Sequence, residues 1–368
     1  MLDRIQVQGF KSIREMDLEL RPINILIGAN GSGKSNLLGV FEMLNAIIRE
    51  NLQYYVAYSS GADQILYRGT PSSTRLWLNL DFGMNAYQFS LLPDQQNRLF
   101  FEDERIFYHD EANYPTPFER SIGRDHSETR LHLESAADFR YRIADHVLSN
   151  IKGWKLYHFN NTDPGSGLRA TSQLSDDEIL HAKGSNLATI LYKLQQKYPQ
   201  HFRIILSVIR QAAPFINSLY LQPSLENENA IRLRWKEKNS EAIFDVSSLS
   251  DGTLRFIALV ALLMQPEADL PKTIIIDEPE LGLHPSAINL LVALIRSAST
   301  KTQLIISTQS SMLIDYFEPE DIIVVDRQAG QSTFTRLEEE PLKIWLEGYS
   351  LGTLWEKNVF GGKPQYEV

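Results

Sequence analysis

An α/β fold is predicted for this 368-residue chain by three features of its sequence. A β-branched apolar run, Ile23 to Ile27, leads into a glycine-rich octapeptide and then into apolar residues at helical spacing. A second apolar run, Thr273 to Ile276, ends in two adjacent acids. Between them, residues 74 to 108 alternate apolar and polar side chains, the period of antiparallel strands. With 43% hydrophobic and 22% charged residues, the composition can bury the core such a fold needs and excludes a disordered chain.

The octapeptide Gly28-Ala29-Asn30-Gly31-Ser32-Gly33-Lys34-Ser35 fits G-x-x-x-x-G-K-[ST] at every fixed position. That pattern has meaning only with a strand before it and a helix after it. Ile23, Ile25, Leu26 and Ile27 supply the first; Leu37, Leu38, Phe41 and Leu44 supply the second. The glycines let the backbone wrap phosphates with its N–H groups inward, and the helix N-terminus adds partial positive charge. In such a loop Lys34 reaches the β- and γ-phosphates and the Ser35 hydroxyl holds Mg²⁺, with Asn36 next along the helix.

The run Thr273-Ile274-Ile275-Ile276-Asp277-Glu278-Pro279 is the acidic partner that such a loop requires. Asp277 is placed to bind Mg²⁺ through water, and Glu278 to orient or deprotonate the water that attacks the γ-phosphate. Lys34 and Asp277 are 243 positions apart, further than in small kinases, GTPases or ring-forming AAA+ motors. Just upstream, Leu249-Ser250-Asp251-Gly252-Thr253 opens a second apolar helix through Leu254, Ile257, Ala258, Ala261 and Leu262. Serine and glycine at a helix N-terminus make another phosphate cap, one that has a use only if it serves a neighbouring subunit.

Taken in order, these motifs resemble the ABC-type ATPases: phosphate loop, signature, acidic strand, then Glu280-Leu281-Gly282-Leu283-His284-Pro285 as D-loop and Ser307-Thr308-Gln309-Ser310 as switch. The phrase Asp277 to Pro285, with Gly9-Phe10-Lys11-Ser12 after a short N-terminal strand, is similar to the SMC, RecF and OLD-like group. The recognisable blocks cover residues 1 to 45 and about 245 to 326. The resemblance implies a P-loop NTPase with an ABC-ATPase-type core, a mixed sheet plus an antiparallel β lobe, and an inserted mainly helical lobe. The expected divisions are a core part over 1–110, the inserted lobe over 111–240, the second core part over 241–330 and a tail over 331–368.

The same resemblance implies an ATPase using ATP and Mg²⁺, in which two copies dock head to tail. Ser250 and Gly252 of one copy would cap the γ-phosphate held by Lys34 of the other, and hydrolysis at Glu278 would release the dimer. Lys11 and Ser12 would touch the nucleotide from the first loop. Gln309 stands where most relatives have histidine; it can donate a hydrogen bond but carries no charge, which predicts slow turnover. Asn160 and Asn161 are the positional candidates for a Q-loop and read more simply as loop-capping residues. Some compact members of the group are encoded beside a small nuclease-like partner and associated with phage defence, so the partners the resemblance implies are a second copy, or a higher oligomer, and a separate effector. A RecF-like repair ATPase and a non-hydrolysing ATP sensor that scaffolds an effector are the alternatives. A fused TOPRIM nuclease would need acidic motifs after residue 326, where too little sequence follows to hold them.

A formal charge of −10 argues against unaided binding to duplex DNA along a broad surface. One local basic face is offered to DNA or RNA: Arg232, Arg234, Lys236 and Lys238 would share one side of a strand, although a charged solvent face is the simpler reading. Residues 109 to 150 mix Arg120, Arg124, Arg130, Arg140 and Arg142 with about as many acids, Asp138 among them, and read as a solvated, partly helical segment. Ser185-Asn186 and Pro199 predict the starts of two helices, with no heptad repeat for a long coiled coil. There is no cysteine, which excludes disulfides and thiolate metal sites. The longest apolar run, Phe256 to Met264, is far short of the roughly 20 residues of a membrane span. A cytoplasmic protein with no membrane partner is expected. His284 in the D-loop is expected at an interface, and Trp345, Tyr349, Leu351, Leu354 and Trp355 in the tail are expected to pack on the parent domain or dock a partner.

Overall fold

In the computed structural model, alternation and helical spacing resolve into two units, Met1–Trp154 with Phe317–Val368, and Lys155–Tyr316. The structure describes residues 1–137 and 142–363; Asp138 and Arg140 of the charge-mixed segment lie outside them.

The first unit carries an antiparallel sheet in the order Ile13–Glu19, Arg4–Phe10, Leu76–Phe82, Asn85–Pro93, Leu99–Tyr108 and Phe118–Gly123. Leu76, Leu78, Leu80 and Phe82 are buried and their alternate neighbours half-exposed, so the period-2 pattern does set the inner face. The strand Phe118–Gly123 falls inside the segment read as solvated and partly helical. Its only buried residue is Ile122, because it is a sheet edge whose exposed face tolerates charge, and that erases the hydrophobic alternation. Beside this sheet, Ile322–Gln328 pairs parallel with Ile23–Ile27 and antiparallel with Gln331–Arg336. Helix Lys34–Ile48 buries Leu37, Leu38, Phe41, Leu44 and Ile48, and Phe41 meets Trp154 edge to face at 5.2 Å between ring centroids.

In the second unit the acidic strand Thr273–Asp277 runs parallel to Gln303–Thr308, and every residue of that pair up to Ile276 and Thr308 is buried. Burial on both faces is what a parallel strand pair demands, and it explains the unbroken apolar runs. Helix Asp251–Leu263 buries every residue from Leu254 to Leu263, so it passes through the core and lacks a solvent face. Helices Leu187–Lys197, Pro199–Ala212 and Pro285–Ser299 and a small antiparallel sheet of Ile216–Tyr220, Arg234–Glu237 and Ile243–Asp245 also belong to it. Pro199 opens its helix as predicted, its missing N–H costing nothing at the first position. Asn186 precedes its helix without capping it. Its amide is spent on the loop behind, accepting from the His181 N–H at 2.9 Å and donating to the carbonyls of Asp176 and Ile179. No helix among the described residues is long and apolar enough to cross a membrane.

Candidate functional site

The phosphate loop leaves the buried strand Ile23–Ile27 at Gly28 and enters its helix at Lys34. Gly33 makes the turn at φ +119°, a conformation side chains rarely adopt, and a Cβ there would overlap the Ser332 hydroxyl. Lys34 is buried, and its ammonium donates to the carbonyls of Gly28 at 2.6 Å and Ala29 at 3.0 Å, closing the loop over itself. The first turn of the helix presents N–H groups that no intrahelical carbonyl can take, the usual seat for phosphate oxygens. Gly31 borders open space, with nothing within 4 Å of where its Cβ would stand. Outside the motif, the Gly362 carbonyl accepts from the Ala29 N–H at 2.8 Å. Lys11, at φ +46°, lays its ammonium against Gly39 and over the Phe10 ring, 5.4 Å from the centroid. Ser12 faces the underside of the loop: its hydroxyl lies 2.6 Å from that of Ser332 and accepts from the Asn36 amide at 2.5 Å.

In the second unit, Asp277 ends its strand opposite Ser307, and Glu278 turns left-handed at φ +47°. A non-glycine residue in that region costs on the order of 1–3 kcal/mol and needs surroundings that hold it. Those surroundings are specific. The Glu278 N–H donates to the Ser307 carbonyl at 2.8 Å, and the Gln309 amide donates to the Glu278 carboxylate. Thr308 donates to the next acid, Glu280, at 2.5 Å. Burial pushes the Glu280 carboxyl above its ordinary value. The His158 ring lies 3.7 Å from the Asp277 carboxylate. The Ser307 hydroxyl and one Glu280 oxygen are buried without a hydrogen-bond partner among the described residues. Hard oxygens, some of them unsatisfied, are the donor set that suits Mg²⁺.

The Leu249–Thr253 turn is held from behind. Ser250 caps helix Asp251–Leu263, accepting from the Thr253 N–H at 3.3 Å. Gly252 packs so closely on the Gly282 carbonyl of the D-loop that a Cβ would overlap that oxygen. The buried Arg169 guanidinium donates to the carbonyls of Thr162 at 2.7 Å, Val246 at 2.6 Å and Leu249 at 3.1 Å, and to the Asp251 carboxylate at 2.9 Å. That contact holds the Asp251 carboxyl below the usual range. Arg255 donates to the carbonyls of Phe159 at 3.0 Å and Asn160 at 3.1 Å, tying the segment that holds both Q-loop candidates to the signature helix. Asn161 accepts from the Asp163 N–H at 2.9 Å, a loop-capping contact. His284 caps the helix Pro285–Ser299 through Ser286. A cleft of about 120 Å³ opens among Ser250, Gly252, Phe256, Leu283 and His284.

Neither arginine was legible as a site residue. Arg255 does leave a trace, a single charge in the apolar run Leu254 to Leu263; Arg169 leaves none. The basic stripe is largely engaged: Arg232 forms a two-pronged pair with Asp245, Arg234 lies over the Tyr220 ring and Lys236 lies 3.5 Å from Glu241. In the tail, Leu351 and Leu354 are buried while Trp345 and Tyr349 stay exposed.

Known proteins resemble this chain in sequence and in fold. The family described as "AAA domain, putative AbiEii toxin, Type IV TA system" matches residues 23–315, and the chain belongs to it. An OLD nuclease from Thermus scotoductus is 24% identical over 357 residues, covering 89% of this chain. The chain spans 62% of that relative's length. Among solved structures, an SMC head bound to the C-winged helix domain of ScpA superimposes with a TM-score of 0.60 at 13% identity, covering 93% of this chain and 99% of that one. An SMC head with an extended coiled coil, bound to the C-terminal domain of ScpA derived from Pyrococcus furiosus, gives a TM-score of 0.54 at 12% identity, covering 94% and 98%. The fold is that of the SMC heads, and the family is that of the AAA domain.

Proposed function

We propose that this AAA-family chain binds ATP with Mg²⁺, dimerises head to tail around it and hydrolyses it slowly, as a switch for a DNA- or RNA-directed process such as phage defence. The observation that carries this reading is the braced Ser250–Gly252 turn. It is a second phosphate-type cap in a chain that already has one, capping a buried helix and fixed by Arg169. Lys34 and the backbone of Gly28 to Ser35, with Asn36 behind them, would hold the phosphates; Ser35 and Asp277 would hold Mg²⁺. When bound, the metal neutralises charge on the β- and γ-phosphates. Glu278 would take the proton of the attacking water, and Ser250 and Gly252 of a second copy would stabilise charge on the transferring group. Kinship to an OLD nuclease, of whose length the chain spans 62%, supports a nucleic-acid-directed process.

A second reading, a sensor that binds ATP and scarcely turns it over, is favoured by one contact. Gln309 is neutral and already spends one of its two amide N–H groups on Glu278, which leaves one for the γ-phosphate.

Glu278→Gln should keep ATP binding, abolish phosphate release and accumulate an ATP-dependent dimer by light scattering. No growth of dimer with ATP in that variant defeats the head-to-tail reading. Equal phosphate release from wild type and Lys34→Ala would leave the sensor reading in its place.

A further inference from the structure

We propose that Ser332 is a positioning residue of the phosphate loop, which it reaches from a strand 300 positions further along the chain than the Ser32 carbonyl it holds. The inference deepens the reading above and rests on this loop binding a triphosphate.

Four polar groups form a line beneath the loop. The Asn36 amide donates to the Ser12 hydroxyl at 2.5 Å, Ser12 and Ser332 hydroxyls lie 2.6 Å apart, and the Ser332 hydroxyl donates to the Ser32 carbonyl at 2.6 Å. Each hydroxyl has one proton. Ser332 commits its proton to a carbonyl that cannot donate, so Ser12 must be the donor in the middle bond. The direction is therefore set throughout: Asn36 to Ser12 to Ser332 to Ser32. Polarisation along such a line strengthens its last bond. The Ser332 N–H also donates to the Ser12 carbonyl at 2.8 Å, which locks the two serines in register.

The Ser32 carbonyl and the Gly33 N–H belong to one planar peptide, and no cis peptide bond occurs among the described residues. In a trans peptide those two groups point in opposite directions. Holding the carbonyl on Ser332 therefore aims the Gly33 N–H away from Ser332. Gly33 has no side chain because Ser332 occupies that place. A preoriented N–H needs no reorganisation when phosphate arrives. Ser332 thus acts on the nucleotide through the backbone and never touches it.

The test is Mg·ATP binding to the full chain by calorimetry, with apo thermal melting in parallel. Ser332→Ala should weaken the dissociation constant about tenfold, the scale of one buried hydrogen bond. Ser332→Thr keeps the hydroxyl and should recover most of the loss. The double variant Ser12→Ala/Ser332→Ala should bind no more weakly than Ser332→Ala alone, because Ser12 works through Ser332. Wild-type affinity in Ser332→Ala overturns the proposal, as do additive losses in the double variant or a loss that follows melting temperature alone. Lys34→Ala tests the underlying reading separately: undiminished binding there would mean that the loop is not the triphosphate site.

Discussion

Arg169→Met removes one side chain, leaves the carbonyls of Thr162 and Leu249 without their donor and takes one of two donors from that of Val246, which keeps the Leu249 N–H at 3.2 Å. A buried group that loses its partner costs about 1–3 kcal/mol. Neighbouring losses are not additive, so about 3–5 kcal/mol is expected for the three together. At about 2–4 °C per kcal/mol for a unit of this size, melting should fall by about 6–20 °C. Asp251→Asn removes only the exposed end of the same network, whose side chain is 64% accessible, and should cost under about 1 kcal/mol. Arg169→Lys keeps the charge and loses the planar fork, so it should fall between the two. The assay is thermal unfolding by circular dichroism, followed by ATP-dependent dimerisation at a temperature where each variant is folded. The folded variant should still fail to dimerise, because the Leu249–Thr253 turn has lost its brace. Melting of Arg169→Met within about 2 °C of wild type would refute the reasoning.

Two further outcomes follow. A Cβ at Gly252 meets the Gly282 carbonyl oxygen, part of the backbone, so Gly252→Ala must displace the turn; steady-state phosphate release should drop at least about tenfold. The Glu280 carboxyl is raised by burial, so the folded state binds more protons than the unfolded one between the ordinary glutamate value and the raised one. Stability from that source is full below the window and is lost as pH rises through it. Glu280→Gln, which keeps an acceptor for Thr308, should therefore flatten the fall in melting temperature over that window and leave it unchanged at lower pH.

The linear motifs were readable because their chemistry is local. Gly33 must be glycine for its φ, Ser250 must cap the helix that follows it, and Ile274 to Ile276 must be apolar because a parallel strand is covered on both faces. The helix of Lys34–Ile48 and the hairpin strands announced themselves by period alone. The edge strand Phe118–Gly123 did not, since one solvated face and a charged composition leave no alternation to read.

Beyond those motifs the chain alone specified residue types, and tertiary structure chose which would act together. Ser332 and Ser32 meet because the strand pair Ile322–Gln328 and Gln331–Arg336 returns to the side of Ile23–Ile27. Arg169 reaches Leu249 across 80 positions, and Gln309 finds Glu278 across a strand and a helix. Such contacts have no sequence signature, because a hydrogen bond depends on where two atoms are brought and not on the number of residues between them. Spacing along the chain predicts a partner only within one helix, strand or turn; everything longer is settled when the hydrophobic faces pack.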